Sequence, residues 1–220
     1  MKTGKLEGHT VPFYQYQYDE YKEIVSAEIL MRPLTGRIDR LVRFLEEQNT
    51  VHHLDKIAFD WAIKFSDRFD IPCASNFSGK SLANKDVIER IAIAESSHQV
   101  RLELTENRDL SSDAIKNIIM LDRMGFEVSC DDFGSKWNGL NRLYKLPFKE
   151  LKIDKFLVDE LTQTRAQKIV RSTIELCRSL GITVVAEGVE EQWQYDMLKS
   201  MGCEVFQGYL LHKPEAFKDG

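Results

Sequence analysis

Phe126-Glu127-Val128-Ser129-Cys130-Asp131-Asp132-Phe133-Gly134 is the stretch around which the rest of the chain reads. Phe126, Val128 and Cys130 alternate with Glu127 and Ser129, which predicts a short strand. The strand ends on two adjacent carboxylates, and Phe133 and Gly134 turn the chain away. Two anions side by side at the end of a buried strand are costly without cations nearby. A pair of divalent metals removes that cost, and a carboxylate shared between two metals is what a two-metal phosphoester site needs. Taken alone, the pair fits an ordinary Asp-Asp turn better, because Asp is common in turns. The surrounding chain decides between the two readings.

Working outward, Gly125 separates this strand from a helical pattern over 112–124, with Ala114, Ile115, Ile118 and Leu121 on one face. The unit of helix, single glycine and strand returns twice. A helix over 166–180 stops at Gly181 before a strand over 182–187, and a helix over 191–201 stops at Gly202 before a strand over 203–209. Glycine suits those stops because the position after a helix commonly needs φ > 0. A short strand over 150–153 lies between the first and second copies. Toward the N-terminus the pattern predicts strands over 11–16, 24–31, 71–77 and 100–106, and helices over 37–49, 54–69 and 82–97. Only seven residues separate the first two strands, too few for a parallel crossover, so they should pair antiparallel. Eight strands with alternating helices predict an α/β fold: a closed (β/α)8 TIM-type barrel whose first strand is antiparallel. An open doubly wound sheet is the alternative.

The composition narrows the class. The 220 residues carry a net charge of −5, which argues against a polyanion-coating protein but leaves room for a small phosphate ligand held through metals. The 43% of hydrophobic residues can build a large core. Cys73, Cys130, Cys177 and Cys203 are scattered in or beside apolar runs without a CxxC pair, which predicts reduced, buried thiols and a cytoplasmic setting. The first ten residues have no signal-peptide apolar core, and no run approaches the ~18 apolar residues of a membrane span. Residues 1–220 read as one domain.

The unusual polar residues fall at strand ends. Asn76, Glu103, Asp131, Asp132, Lys152, Glu187 and Gln207 lie at or near the ends of strands three to eight, and Glu28 interrupts an apolar strand. In a barrel these ends converge on one face, where barrel active sites lie. Carboxylates and an amide suit Mg2+ or Mn2+ rather than zinc or copper. Lys152 and Arg32 supply cations able to hold phosphate oxygens. Each residue alone has a plainer reading: Lys152 as a snorkelling lysine, Glu103 as a solvent-facing strand residue, Gln207 as a turn residue.

Seven segments taken together resemble the ordered signature of EAL domains, over about residues 10–214. They are Ala27-Glu28-Ile29-Leu30-Met31-Arg32, Asn76-Phe77-Ser78, Glu103-Leu104-Thr105-Glu106, Asp131-Asp132-Phe133-Gly134, Lys152-Ile153-Asp154, Ala186-Glu187-Gly188-Val189-Glu190 and Gln207-Gly208-Tyr209-Leu210. Any one is weak; seven in order are specific. The resemblance implies a barrel of the kind above and a cyclic-guanylate-specific phosphodiesterase. Such an enzyme hydrolyses the bacterial second messenger cyclic di-GMP to linear pGpG with two Mg2+ or Mn2+ ions per site. It implies Glu28, Asn76, Glu103 and Asp131 as ligands of one metal. Asp131 and Asp132 would hold the second, with Glu187 as ligand or proton acceptor. Lys152 would orient the attacking water. Gln15, Arg32 and Gln207 would serve the substrate, and Glu106 and Glu190 would support the site. The implied partner is cyclic di-GMP, not a nucleic acid polymer or a membrane, and a homodimer is left open.

Three positions depart from the family pattern. Ile29 stands in the middle of the name motif, and Tyr16 rather than proline follows Gln15. Ser135-Lys136-Trp137-Asn138-Gly139 replaces a small Thr-Gly-Tyr-Ser-Ser loop. That loop bears on rate, regulation and dimer contact rather than on metal ligation. It keeps a second function class in view: a weakly active or inactive module of the same fold that binds cyclic di-GMP or a protein partner. Retention of every acidic position favours the enzyme, since a pure receptor has no need of two metals.

Overall fold

In the computed structural model, residues 9–94, 99–105, 110–134 and 140–218 are described. Strand β1 (Thr10–Asp19) and strand β2 (Ile24–Pro33) form an antiparallel pair in which Gln15 faces Glu28. The turn between them is Glu20–Glu23, shorter than the sequence suggests because both strands extend. From β2 the chain runs parallel through β3 (Cys73–Phe77), β4 (Val100–Leu104), β5 (Val128–Phe133), β6 (Glu150–Ile153), β7 (Thr183–Ala186) and β8 (Val205–Phe206). Antiparallel pairing of β8 with the end of β1 closes the ring. The closed barrel with its antiparallel first strand is therefore as expected, and the open sheet is excluded.

Several boundaries differ. The last barrel strand covers only Val205–Phe206 of the expected 203–209, because β1 pairs there through just two residues, Tyr18 and Asp19. A ninth strand, β9 (Glu215–Ala216), pairs with Phe13 and Tyr14 at the other end of β1. The helix expected over 82–97 is two helices, α3 (Gly79–Leu82) and α4 (Lys85–Ile93). Asn84 divides them: its extended backbone ends one, and its side chain caps the amides of Asp86 and Val87. The remaining helices are α1 (Ile38–Glu47), α2 (Val51–Phe69), α5 (Ser112–Arg123), α6 (Leu140–Lys145), α7 (Lys155–Asp159), α8 (Thr164–Leu180) and α9 (Gln192–Ser200). Gly125, Gly181 and Gly202 hold positive φ at the ends of α5, α8 and α9, as the repeated unit requires.

The apolar core lies between barrel and helices. Outward-facing Ile29, Phe77, Leu102, Leu104, Val128, Leu151 and Val184 pack under Phe59 and Phe65 of α2, Ile118 and Leu121 of α5 and Val170 and Ile174 of α8. The barrel interior is polar. On β1, the buried inward residues are Gln15 and Gln17, while Tyr14 and Tyr16 face outward against Phe65 and His212. Below the rim, Arg101 bonds to Glu150, which also accepts from the Ser129 hydroxyl. Because strand side chains alternate with period two, Arg101, Ser129 and Glu150 sit one layer beneath Glu103, Asp131 and Lys152.

Candidate active site

Inward positions in the middle of β2, toward the C-terminal ends of β3 to β6 and just after β7 bring Glu28, Asn76, Glu103, Asp131, Lys152 and Glu187 together. At the centre stands the Lys152 ammonium, 1% exposed. Its Nζ lies 2.7 Å from Glu187 Oε1, 3.1 Å from Glu28 Oε2, 3.1 Å from Glu103 Oε2 and 3.4 Å from Asp131 Oδ1. Asn76 Nδ2 donates to Glu28 Oε1 at 2.7 Å, and Gln207 Nε2 donates to Glu28 Oε2 at 2.7 Å.

Asp132 reaches the same rim by a backbone irregularity. In a regular strand, adjacent residues face opposite sides. The β5–β6 register shifts between Cys130 and Phe133, and Asp132 adopts φ +54°. Such bulges re-aim side chains next to active sites. Oxygens of Asp131, Asp132 and Glu187 consequently lie within 4.8 Å of one another, a triangle that could hold a metal ion. Asp131 and Glu187 belong also to the group around Lys152, with Glu28 and Glu103.

The charges do not balance. Five carboxylates share one ammonium, so burial and mutual repulsion raise the proton affinity of Glu103, Asp131, Asp132 and Glu187. Glu187 is pushed up to about 8, chiefly by burial and partly by Asp131, although Lys152 opposes the shift. Asp132 is pushed up to about 7 by burial, Asp131 and a hydrogen bond with Asp154. Glu28 and Glu103 diverge although each lies 3.1 Å from the ammonium. Burial works against Glu28, yet Lys152, Gln207 and Asn76 together hold it below the usual carboxylate range. Glu103 is held well above that range by burial and Glu28. Its Oε1 is fully buried and meets no hydrogen-bond partner among the described residues. An orphaned carboxylate oxygen inside an acidic cluster fits a divalent cation, since without one the desolvation cost stands unmet. The donor set of carboxylates and one amide suits Mg2+ or Mn2+.

The other expected residues lie around this centre. Gln207 and Gln15 line the β1–β8 seam, buried and bonded to each other. Arg32 lies in β2 itself, on the same face as Glu28. With Leu30, Asp55, Asn76, Ser78 and Thr105 it lines a cavity of about 240 Å³. Glu190 stands outside the cluster, paired with Lys155 at 3.1 Å. Glu106 and the loop Ser135–Gly139 lie outside the described residues. Sequence reasoning overlooked Asp55, fully buried and accepting the Ser78 amide at 2.9 Å, and so holding the turn after Asn76. It also overlooked Asp154, which caps α7 and touches Asp132. An Asp just before a helix is a capping signal; Asp55, inside α2, has none.

A polar-cored barrel with an acidic, cation-seeking rim defines a candidate metal site at the C-terminal mouth of the strands. The EAL domain family model matches residues 4–214, and the chain belongs to that family. Among relatives, it is 34% identical to the oxygen sensor protein DosP of Escherichia coli over 91% of this chain, which spans 28% of DosP's length. The solved structure of the PaMucR phosphodiesterase with c-di-GMP superposes with a TM-score of 0.85 at 28% identity, covering 94% of this chain and 97% of that one. Klebsiella pneumoniae BlrP1 in a manganese and c-di-GMP complex gives a TM-score of 0.83 at 26% identity, covering 94% of this chain and 56% of that one.

Proposed function

We propose that this chain hydrolyses cyclic di-GMP to linear pGpG with Mg2+ or Mn2+. The observation that carries the reading is the acidic rim, five carboxylates around one ammonium with Glu103 Oε1 left unpartnered among the described residues. Membership of the EAL family and the ligands of the PaMucR and BlrP1 complexes support the substrate and the ions. Glu28, Asn76, Glu103 and Asp131 would hold one ion, and Asp131, Asp132 and Glu187 a second. Divalent cations held there stabilise charge on phosphoryl oxygens and lower the pKa of water. Lys152 spaces the carboxylates and orients the attacking water. Glu187 ligates or takes the proton at its carboxylate, for which burial has already raised its proton affinity. Arg32 meets a phosphate from the cavity beside Asn76, and Gln15 and Gln207, bonded to each other, serve the substrate. Glu106 and Glu190 support these residues.

Four free, buried cysteines support a reducing, cytoplasmic setting, and no described helix is long and apolar enough to cross a membrane. Exposed Leu140, Tyr144 and Phe156, on the helices before and after β6 in the chain, support a homodimer. The net charge of −5 supports a dinucleotide over a nucleic acid polymer. The test is incubation of purified protein with cyclic di-GMP, with and without Mg2+ or Mn2+, following pGpG. Metal-dependent pGpG supports the enzyme. Binding without product at pH 7–9 overturns it in favour of a binding module.

A further inference from the structure

Three glutamines lie buried on the inward faces of β1 and the chain just after β8: Gln15, Gln17 and Gln207. They form one continuous ladder. At one end the backbone carbonyl of His212, which can only accept, takes a hydrogen bond from Gln15 Nε2 at 2.8 Å. Gln15 must then offer its Oε1 to Gln207, whose Nε2 donates to it at 3.3 Å and to Glu28 at 2.7 Å. Gln207 in turn offers Oε1 to Gln17, whose Nε2 donates at 2.8 Å. Gln17 Oε1 accepts from the Ser26 hydroxyl. Reversing one amide would set carbonyl against carbonyl, or a carbonyl against the Glu28 carboxylate.

We propose that Gln17 is a positioning residue: with the His212 carbonyl it locks the Gln207 amide so that an N–H, not an oxygen, faces Glu28. Its own side chain does not reach the rim. It acts through Gln207 on a carboxylate that would hold a metal, and in this it rests on the reading of Glu28 given above. Partners at this remove from a metal typically change affinity or activity by about 10–100-fold when lost.

The test uses the side-chain amide signals of 15N-labelled, metal-free protein, with Mn2+ affinity measured separately by calorimetry. In the wild type, the Nε2 protons of Gln17 and Gln207 should exchange slowly with solvent. Gln17→Leu should shift the Gln207 Nε2 signal, speed its exchange and weaken Mn2+ binding about tenfold or more. Ser26→Ala removes the far end of the ladder with little change in volume, and should move the Gln17 and Gln207 signals by less in the same sense. If Gln17→Leu does not fold, the wild-type exchange rates and Ser26→Ala decide. Fast exchange at Gln17 in the wild type, or an unmoved Gln207 signal in the variants, overturns the proposal. Absence of pGpG from the wild type would overturn the catalytic reading alone, because the amide signals report the ladder without metal or substrate.

Discussion

In the absence of metal, raising the pH should destabilise this protein. Glu187 titrates at about 8 and Asp132 at about 7 in the fold, against about 4.3 and 3.9 for the unfolded chain. Between these values the folded state binds more protons than the unfolded state, so stability falls as pH rises. It is fully present below the unfolded values and is lost through the folded ones. From pH 6 to 8.5, linkage removes about 3 kcal/mol for Glu187 and about 1 kcal/mol for Asp132. The two protons are held by the same surrounding anions, so about 4 kcal/mol is a ceiling. A divalent ion binds the deprotonated carboxylates and stabilises only the folded state, so its contribution grows over the same interval. The assay is urea unfolding at pH 6, 7, 8 and 8.5, with EDTA and then with Mg2+. The EDTA series should fall, and the gap between the series should widen with pH. An EDTA series that is flat or rising, or a gap that narrows, would refute the reasoning.

Asp131→Asn should abolish pGpG formation, because it takes charge from both ion positions at once, while calorimetry with Ca2+ should still detect cyclic di-GMP binding through Arg32 and the cavity walls. Asp55→Ala should cost about 2 kcal/mol in urea unfolding, since it strands the buried Ser78 amide; an unchanged midpoint would count against that role. Gly208→Ala should lower stability by about 1–3 kcal/mol and slow turnover, because a Cβ there runs into the backbone of Val189, which cannot swing aside as a side chain could. Thermal melts and pGpG assays at matched folded fraction check it.

Local rules made much of this molecule readable. The short link between the first two strands dictated their antiparallel pairing whatever the rest of the fold did. The period-two alternation placed Glu28, Glu103 and Lys152 on inward faces, and the three helix–glycine–strand units set the parallel course of the later strands. The motif series resembling EAL domains came from residue order alone, and the family match bears it out.

What the chain could not disclose depends on who stands opposite whom once the ring has closed. Lys152 reads as one lysine on a short strand, but closure brings four carboxylates from four other strands within 3.4 Å of its ammonium. Asp131 and Asp132 should face opposite sides of β5, and only the bulge against β6 turns both to the rim. The alternating Tyr and Gln of β1 signalled a strand, but closure chose the glutamines for the interior, because Gln207 and the His212 carbonyl were there to bond them. Propensity and periodicity act along the chain, whereas hydrogen-bond partnership and charge compensation act across it. The sequence determined the barrel and the residues at its mouth; the register of its closed ring decided which of them meet.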